Sequence, residues 1–177
     1  MFYSDMEVRI PEKEVEFKAS VGEDGQVVLK RKDKIVRGGK SRADGGRFEL
    51  RVRKDLEEKG WIVDKWSNNI DLSKERIVPC KRVFKRFGVG KGVMTIGTGF
   101  PDFVCFERRG KLFKVIGVEV KMNGKLSREE KEKCVWLLDR GIFSEIFVAS
   151  KIKEKNRIRI EYINFQKIKK RMRNQYV

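Results

Sequence analysis

Two apolar segments joined by a short charged turn constrain the fold of this chain most. They are "DFVCF" (residues 102–106) and "KLFKVIGVEVK" (residues 111–121), with Glu107-Arg108-Arg109-Gly110 between them. Segments rich in Val, Ile and Phe on either side of a glycine-containing turn are typical of paired strands. The pattern predicts an antiparallel hairpin, and the rest of the fold must pack around it.

The register of this hairpin brings charged residues together. Pairing about residues 107–110 places Asp102 opposite residues 115–119, near Glu119. Because side chains alternate along a strand, Glu119 and Lys121 share one face, while Val118 and Val120 lie on the other, apolar face. We therefore expect two carboxylates and an ammonium group to converge at one end of the hairpin.

A simple explanation for Glu119 and Lys121 is an exposed ion pair, which contributes well under about 1 kcal/mol. That explanation does not account for Asp102, because two carboxylates brought together repel each other unless a cation lies between them. Mg²⁺ typically binds one or two carboxylates together with water and phosphate oxygens. The residues therefore favour a site for Mg²⁺ (or Mn²⁺), in which Lys121 orients a water or stabilises charge on a phosphorane.

The remaining patterns predict an α/β domain around a mixed sheet. Phe48, Val52 and Leu56 are spaced as one buried face of a helix that stops at Gly60. Ser127 and Glu130 form a capping box at the start of a second helix. That helix runs to Gly141 with a buried stripe of Cys134, Leu137 and Leu138, and "WIVDKW", "SEIFVAS" and "RIRIEYI" read as further strands. The order is α-β-β-β-α-β with a trailing element.

Residues 1–43 read as an N-terminal β-hairpin extension followed by a linker rich in glycine and charge. Residues 44–177 form the main domain, which contains a basic insertion at 67–100, expected to be irregular, and a basic C-terminal tail.

The amino-acid composition limits which binding partners and which kinds of catalysis are possible. The chain has 43 Lys and Arg against 26 Asp and Glu, a net charge of +17, and no histidine. A Lys- and Glu-rich thermophile background would raise both signs of charge, whereas an excess of one sign indicates a polyanion such as nucleic acid. The absence of histidine excludes catalysis and zinc binding that depend on imidazole. Without a long apolar run or a signal peptide, we expect a soluble, intracellular, nucleoid-associated protein that does not bind a membrane.

With Pro101-Asp102, Glu119-x-Lys121 and the helix that follows, the chain resembles the PD-(D/E)xK nuclease superfamily over about residues 44–150. It is most similar to archaeal Holliday-junction resolvases and VRR-NUC domains. The resemblance implies a restriction-endonuclease-like αβββαβ core and a Mg²⁺-dependent DNA endonuclease acting in DNA repair and recombination. It implies catalytic roles for Glu49, Asp102, Glu119 and Lys121, and metal ligation by Asp102, Glu119, the Val120 carbonyl and Glu49.

Basic residues near this motif are candidates for DNA contact. Residues 74–91 have a local net charge of +6. The candidates are Lys81, Arg82, Lys85, Arg86 and Lys91, with Lys131 and Lys133 on the second helix. Glu130 is either a helix cap, which we favour, or a fourth acid of the site.

Three functions stay open from the sequence. The first is a structure-selective nuclease on branched DNA, which requires paired nicks and so a homodimer. The second is a nuclease of the same fold with flap, single-strand or restriction-type specificity. The third is a non-catalytic DNA-binding module, which has no need of clustered acids facing a polyanion.

Overall fold

The computed structural model describes residues 15–21, 25–80, 82–86, 92–96, 99–155 and 157–167, with 82–86 and 92–96 described for their backbone. The chain divides into two compact units, residues 1–45 and 46–177. The elements in chain order are β1 (Phe17–Val21), β2 (Val27–Arg31), α1 (Lys32–Glu58), β3 (Ile62–Lys65), β4 (Asn68–Asp71), β5 (Arg76–Pro79), β6 (Arg82–Arg86), β7 (Gly92–Ile96), β8 (Phe103–Arg109), β9 (Leu112–Lys121), α2 (Arg128–Asp139), β10 (Glu145–Glu154) and β11 (Arg157–Asn164).

A five-stranded mixed sheet in the order β11-β10-β9-β8-β3 organises the second unit. Strands β9 and β10 are parallel, and the other neighbours are antiparallel. A parallel pair cannot be joined by a tight turn, and α2 supplies the longer crossover that connects β9 to β10. The predicted α/β class with a mixed sheet is therefore confirmed.

The hairpin of β8 and β9 has the register that the sequence predicts. Its ladder runs from Arg109 opposite Leu112 to Phe103 opposite Val118. Asp102 and Glu119 are the next residues beyond the last of these pairs, so the two acids meet at one end of the sheet.

Helix α1 covers one face of this sheet with the predicted stripe. Phe48, Val52 and Leu56 are buried against a cluster that includes Phe103 and Val118. The helix stops at Gly60, whose φ of 87° favours glycine. The Trp61 amide then donates to the Leu56 carbonyl at 3.1 Å.

Helix α2 packs on the opposite face. Its capping box is formed, since the Ser127 side chain accepts from the Glu130 amide and the Glu130 side chain accepts from the Ser127 amide. Cys134 and Leu137 are buried in a cluster with Val104 and other sheet residues, while Leu138 is only partly buried. The sheet thus has one helix on each face within this unit.

The first unit differs from the prediction in one respect. The predicted hairpin is present, with Phe17 opposite Arg31 and Val21 opposite Val27. The prediction that a linker follows the hairpin was wrong, because α1 begins at Lys32 and includes the residues predicted to form that linker. Four glycines at or just beyond this segment, Gly38, Gly39, Gly45 and Gly46, favoured a linker, since each costs about 1 kcal/mol relative to alanine in a helix. Asp33 in the first turn interacts favourably with the helix dipole, and the helix continues into the strongly periodic Phe48 segment.

The insertion at residues 67–100 is also more regular than predicted. It contains two antiparallel hairpins, β4 with β5 and β6 with β7. Val and Ile in "RIVP", "RVFKR" and "GVMTI" are the β-forming signal, which the charge and glycine content of the segment obscured.

No helix in the described part of the chain is long and apolar enough to cross a membrane.

Candidate active site

Asp102 and Glu119 are linked through the backbone of the opposite strand. The Asp102 amide donates to Glu119 Oε2 at 3.2 Å, and the Val120 amide donates to Asp102 Oδ2 at 2.9 Å. The two residues are only 8% and 4% exposed, respectively. The carboxylates therefore replace backbone carbonyls as acceptors at the end of the hairpin, which holds both acids in a defined position.

Burial makes ionisation of these acids unfavourable. Burial, followed by the negative charge of Asp102, raises the pKa of Glu119 to about 8 against the opposing effect of Lys121. Burial also raises the pKa of Asp102, the Val120 amide opposes this, and Glu49 adds to it. Two acids with raised pKa values in contact are typical of a functional site, and a bound cation would relieve their repulsion.

Lys121 lies between two carboxylates. Its Nζ is 3.0 Å from Glu119 Oε1 and 2.6 Å from Glu130 Oε1. Burial lowers the pKa of Lys121, but the hydrogen bond to Glu130 and the charge of Glu119 outweigh it, so the net shift is upward. The ammonium form is therefore favoured, which suits a donor of hydrogen bonds.

Glu130 caps α2, as favoured from the sequence, and it also pairs with Lys121, which the sequence did not predict. Its Oε2 accepts from the Ser127 amide at 2.7 Å as the cap of α2, while Oε1 accepts from Lys121. The start of α2 thus fixes the position of the Lys121 ammonium group.

Glu49 reaches the same region from α1, on the other face of the sheet. Its Oε2 is 2.6 Å from the Nζ of Lys65, the last residue of β3. The Lys65 ammonium also lies 4.8 Å from the centre of the Phe103 ring. Lys65 was not a predicted site residue, because its contact with Glu49 depends on where α1 crosses β3 and no local pattern indicates it.

With the exception of Lys65, these groups border one cavity of about 360 Å³. Its lining includes the following residues: Glu49, Asn69, Gly99, Phe100, Asp102, Glu119, Val120, Lys121, Ser127, Glu129, Glu130 and Lys133. The four predicted catalytic residues are therefore brought together. Asn69, Gly99 and Phe100 were not predicted to be near the site, and they come from the two ends of the insertion.

The insertion leaves and rejoins the fold beside this cavity. The Cys80 amide donates to the Ser67 carbonyl at 3.0 Å, and the Phe100 amide donates to the Asn68 carbonyl at 2.9 Å. A Cβ atom at Gly99 would lie 1.7 Å from the Trp66 carbonyl oxygen, so only glycine fits this close approach. The two ends of the insertion are therefore held close to the site.

The predicted DNA-binding residues differ in where the structure places them and in whether it describes them. Lys133 is buried, lines the cavity and pairs with Glu129 at 2.7 Å, while Lys131 is partly buried outside the lining. Arg82, Lys85 and Arg86 lie on β6, where the backbone is described. Lys81 and Lys91 lie outside the described residues.

The donor set suits a hard cation such as Mg²⁺. In the described ranges, no three Asp, Glu or Cys side chains are close enough to enclose an ion. Mg²⁺ requires only one or two carboxylates, with water and phosphate oxygens completing its octahedron. Asp102 and Glu119 meet that requirement. Glu49, the third predicted carboxylate ligand, is instead paired with Lys65.

No protein-family model, curated protein or solved structure matches the chain.

Proposed function

We propose that this protein is a metal-dependent endonuclease that hydrolyses phosphodiester bonds in DNA. One observation carries the proposal. Asp102 and Glu119 are buried together with the Lys121 ammonium beside them, in a chain of net charge +17. A basic protein attracts a polyanion, but clustered acids repel it unless a cation is bound between them. A divalent cation bound together with a phosphodiester satisfies both conditions.

We also propose that residues 46–177 have the restriction-endonuclease-like αβββαβ core. The order α1, β3, β8, β9, α2, β10 and the parallel pairing of β9 with β10 support this assignment. In that arrangement the Pro101-Asp102 and Glu119-x-Lys121 segments end at the same edge of the sheet, which is where the cavity lies.

Each of these residues has a separate role in the proposed hydrolysis. Asp102 and Glu119 would hold Mg²⁺ or Mn²⁺, together with the Val120 carbonyl and Glu49. The chemistry that such an ion would supply there is polarisation of a phosphate oxygen and a lower pKa for the attacking water. Lys121 donates hydrogen bonds to a non-bridging phosphate oxygen or to the attacking water, and its charge stabilises the negative charge that develops on the phosphate. Glu130 keeps Lys121 in place.

Two groups of basic residues would bind the DNA backbone. These are Lys133, which lines the cavity, and Arg82, Lys85 and Arg86 of β6. We propose selectivity for branched DNA in the manner of a junction resolvase, acting as a homodimer because a two-fold junction needs two nicks. Flap, single-strand or restriction-type cleavage are the alternative specificities.

The test is a cleavage assay with the full chain in Mg²⁺ or Mn²⁺ on four-way junctions, flaps, duplexes and single strands. We expect cleavage by the wild type and a loss of at least about 100-fold in Asp102→Asn, Glu119→Gln and Lys121→Met. DNA affinity should persist or rise, because removing an acid reduces repulsion of phosphate.

Glu132→Gln is the matched control, since Glu132 is an exposed acid on α2 that pairs with Arg128. Wild-type rates in Glu119→Gln would refute the nuclease assignment. DNA binding without cleavage of any substrate would instead identify a non-catalytic DNA-binding module.

A further inference from the structure

Lys65 is a cation at the site that the proposed mechanism leaves without a role. Its Nζ is 2.6 Å from Glu49 Oε2, and the two side chains are 48% and 30% exposed, respectively. It comes from β3, whereas Lys121 comes from β9, so the two ammonium groups reach the acids from different strands.

The ion pair between Lys65 and Glu49 explains why Glu49 is not grouped with Asp102 and Glu119 around one point. Glu49 lines the cavity and its charge raises the pKa of Asp102, so it is close enough to interact with that acid. Yet no three acids in the described part of the chain are arranged around one point. Lys65 neutralises Glu49 in the conformation seen, which is the role that a metal ion would take over.

We propose that Lys65 is a substrate-positioning residue whose availability depends on the divalent cation. It pairs with Glu49 in the conformation described above, and it binds a backbone phosphate of DNA once Glu49 contributes to cation binding. This inference rests on the proposed function, because it requires both a divalent cation and a phosphodiester substrate at the cavity.

The exchange is favourable because the existing pair is weak. Exposed ion pairs contribute little net stability, since both groups are well solvated when separated. A doubly charged cation next to Asp102 and Glu119 competes effectively for the same carboxylate. By contrast, the more buried Lys121 contacts two carboxylates, and its ammonium form is strongly stabilised, so it is expected to stay in place.

The freed ammonium group would remain at the site. The ring of Phe103 lies 4.8 Å from Lys65 Nζ, and Phe103 follows Asp102 directly on β8. A cation over an aromatic ring retains an attractive partner after its carboxylate has left. An ammonium with three donors next to the metal-binding acids is then suited to a phosphate of the same strand.

The inference predicts a salt dependence that appears only with a divalent cation. Each phosphate contacted by a cationic side chain contributes about −0.9 to the slope of log K against log[salt] for duplex DNA. In EDTA, Lys65 is engaged by Glu49, so Lys65→Met should have the wild-type slope. In Ca²⁺, the slope of Lys65→Met should be shallower than that of the wild type by about 0.9.

The experiment measures fluorescence anisotropy of a labelled DNA duplex against KCl concentration, for the full-length wild type and Lys65→Met, in EDTA and in Ca²⁺. Methionine keeps an apolar stem against Phe103 while removing the charge. Lys54→Met is the control, because Lys54 is 78% exposed and pairs with Glu58 instead of Glu49. Lys54→Met should change the salt slope by the same amount in EDTA and in Ca²⁺, or it should leave the slope unchanged in both.

A second measurement, without DNA, is calorimetric titration with Ca²⁺. Lys65→Met should bind Ca²⁺ more tightly, by up to about fivefold, because Glu49 no longer has a competing ammonium group. An equal slope difference in both media, no difference in either, or weaker Ca²⁺ binding in the variant would each overturn the inference. If the wild type neither binds Ca²⁺ nor cleaves DNA in Mg²⁺, the proposed function fails as well; if it does both, only the role of Lys65 is lost.

Discussion

Replacing Glu119 with glutamine should stabilise the metal-free protein while removing its activity. The carboxyl group is 4% exposed, and burial raises its pKa from 4.5 to about 8. Glutamine has the same shape and never has to ionise. Its one carbonyl oxygen can accept from the Asp102 amide, and its NH2 group then takes the place of Oε1 beside Lys121, which keeps its pairing with Glu130.

The sign and size of the effect follow from proton linkage. A folded-state pKa above the unfolded value means that the native state binds the proton more tightly. The contribution of Glu119 is therefore fully present below pH 4.5 and is lost as the pH rises through 8. At pH 7 the loss is on the order of 3 kcal/mol, at 1.36 kcal/mol per pH unit between 4.5 and 7. For a chain of this size that corresponds to roughly 6–12 °C in melting temperature.

The assay is urea denaturation and thermal melting of the wild type and Glu119→Gln in EDTA from pH 4 to pH 8. The variant should be about as stable as the wild type at pH 4 and more stable at pH 7. Added Mg²⁺ should narrow the gap by stabilising only the wild type. The exposed control Glu132→Gln should stay within about 0.5 kcal/mol at every pH. A variant less stable than the wild type at pH 7, or a difference independent of pH, would refute the reasoning.

Three further predictions concern binding, packing and assembly. Replacing Arg82, Lys85 and Arg86 with alanine should make the salt slope of DNA binding shallower by about 0.9 for each phosphate that the variant no longer binds; an unchanged slope would place the binding surface elsewhere. Gly99→Ala should destabilise the protein by about 3 kcal/mol or more, because its Cβ would lie 1.7 Å from the Trp66 carbonyl oxygen, and a wild-type melting temperature would contradict that packing. Light scattering should show a dimer, whereas a strict monomer with and without junction DNA would favour single-nick or flap cleavage.

The parts of the site that could be predicted follow from local sequence patterns. Alternation along β9 and the turn at Gly110 were enough to place Asp102 beside Glu119, because a hairpin register depends on residues close in sequence. The capping box at Ser127 was equally local. These elements needed no knowledge of how the helices pack.

The parts that were missed depend on contacts between distant elements. The pairing of Lys65 with Glu49 requires α1 to cross β3 at one particular point. The second role of Glu130 requires α2 to begin within reach of β9, and its capping pattern gives no indication of that distance. The hairpins of the insertion had a local signal in Val and Ile, but their charge and glycine content favoured an irregular segment.

The hydrogen bonds of Asp102 decide how the site has to be probed. Its carboxylate accepts from the Val120 amide at 2.9 Å, where a sheet would ordinarily supply a backbone carbonyl. Alanine at this position would leave that buried amide without its partner, which costs about 1–3 kcal/mol in stability, so a loss of cleavage could reflect a loosened hairpin. Asparagine keeps the acceptor and removes only the charge. If Asp102→Asn is inactive without a loss of melting temperature, an acceptor at this position is sufficient for the fold and the negative charge of the carboxylate is required for the chemistry.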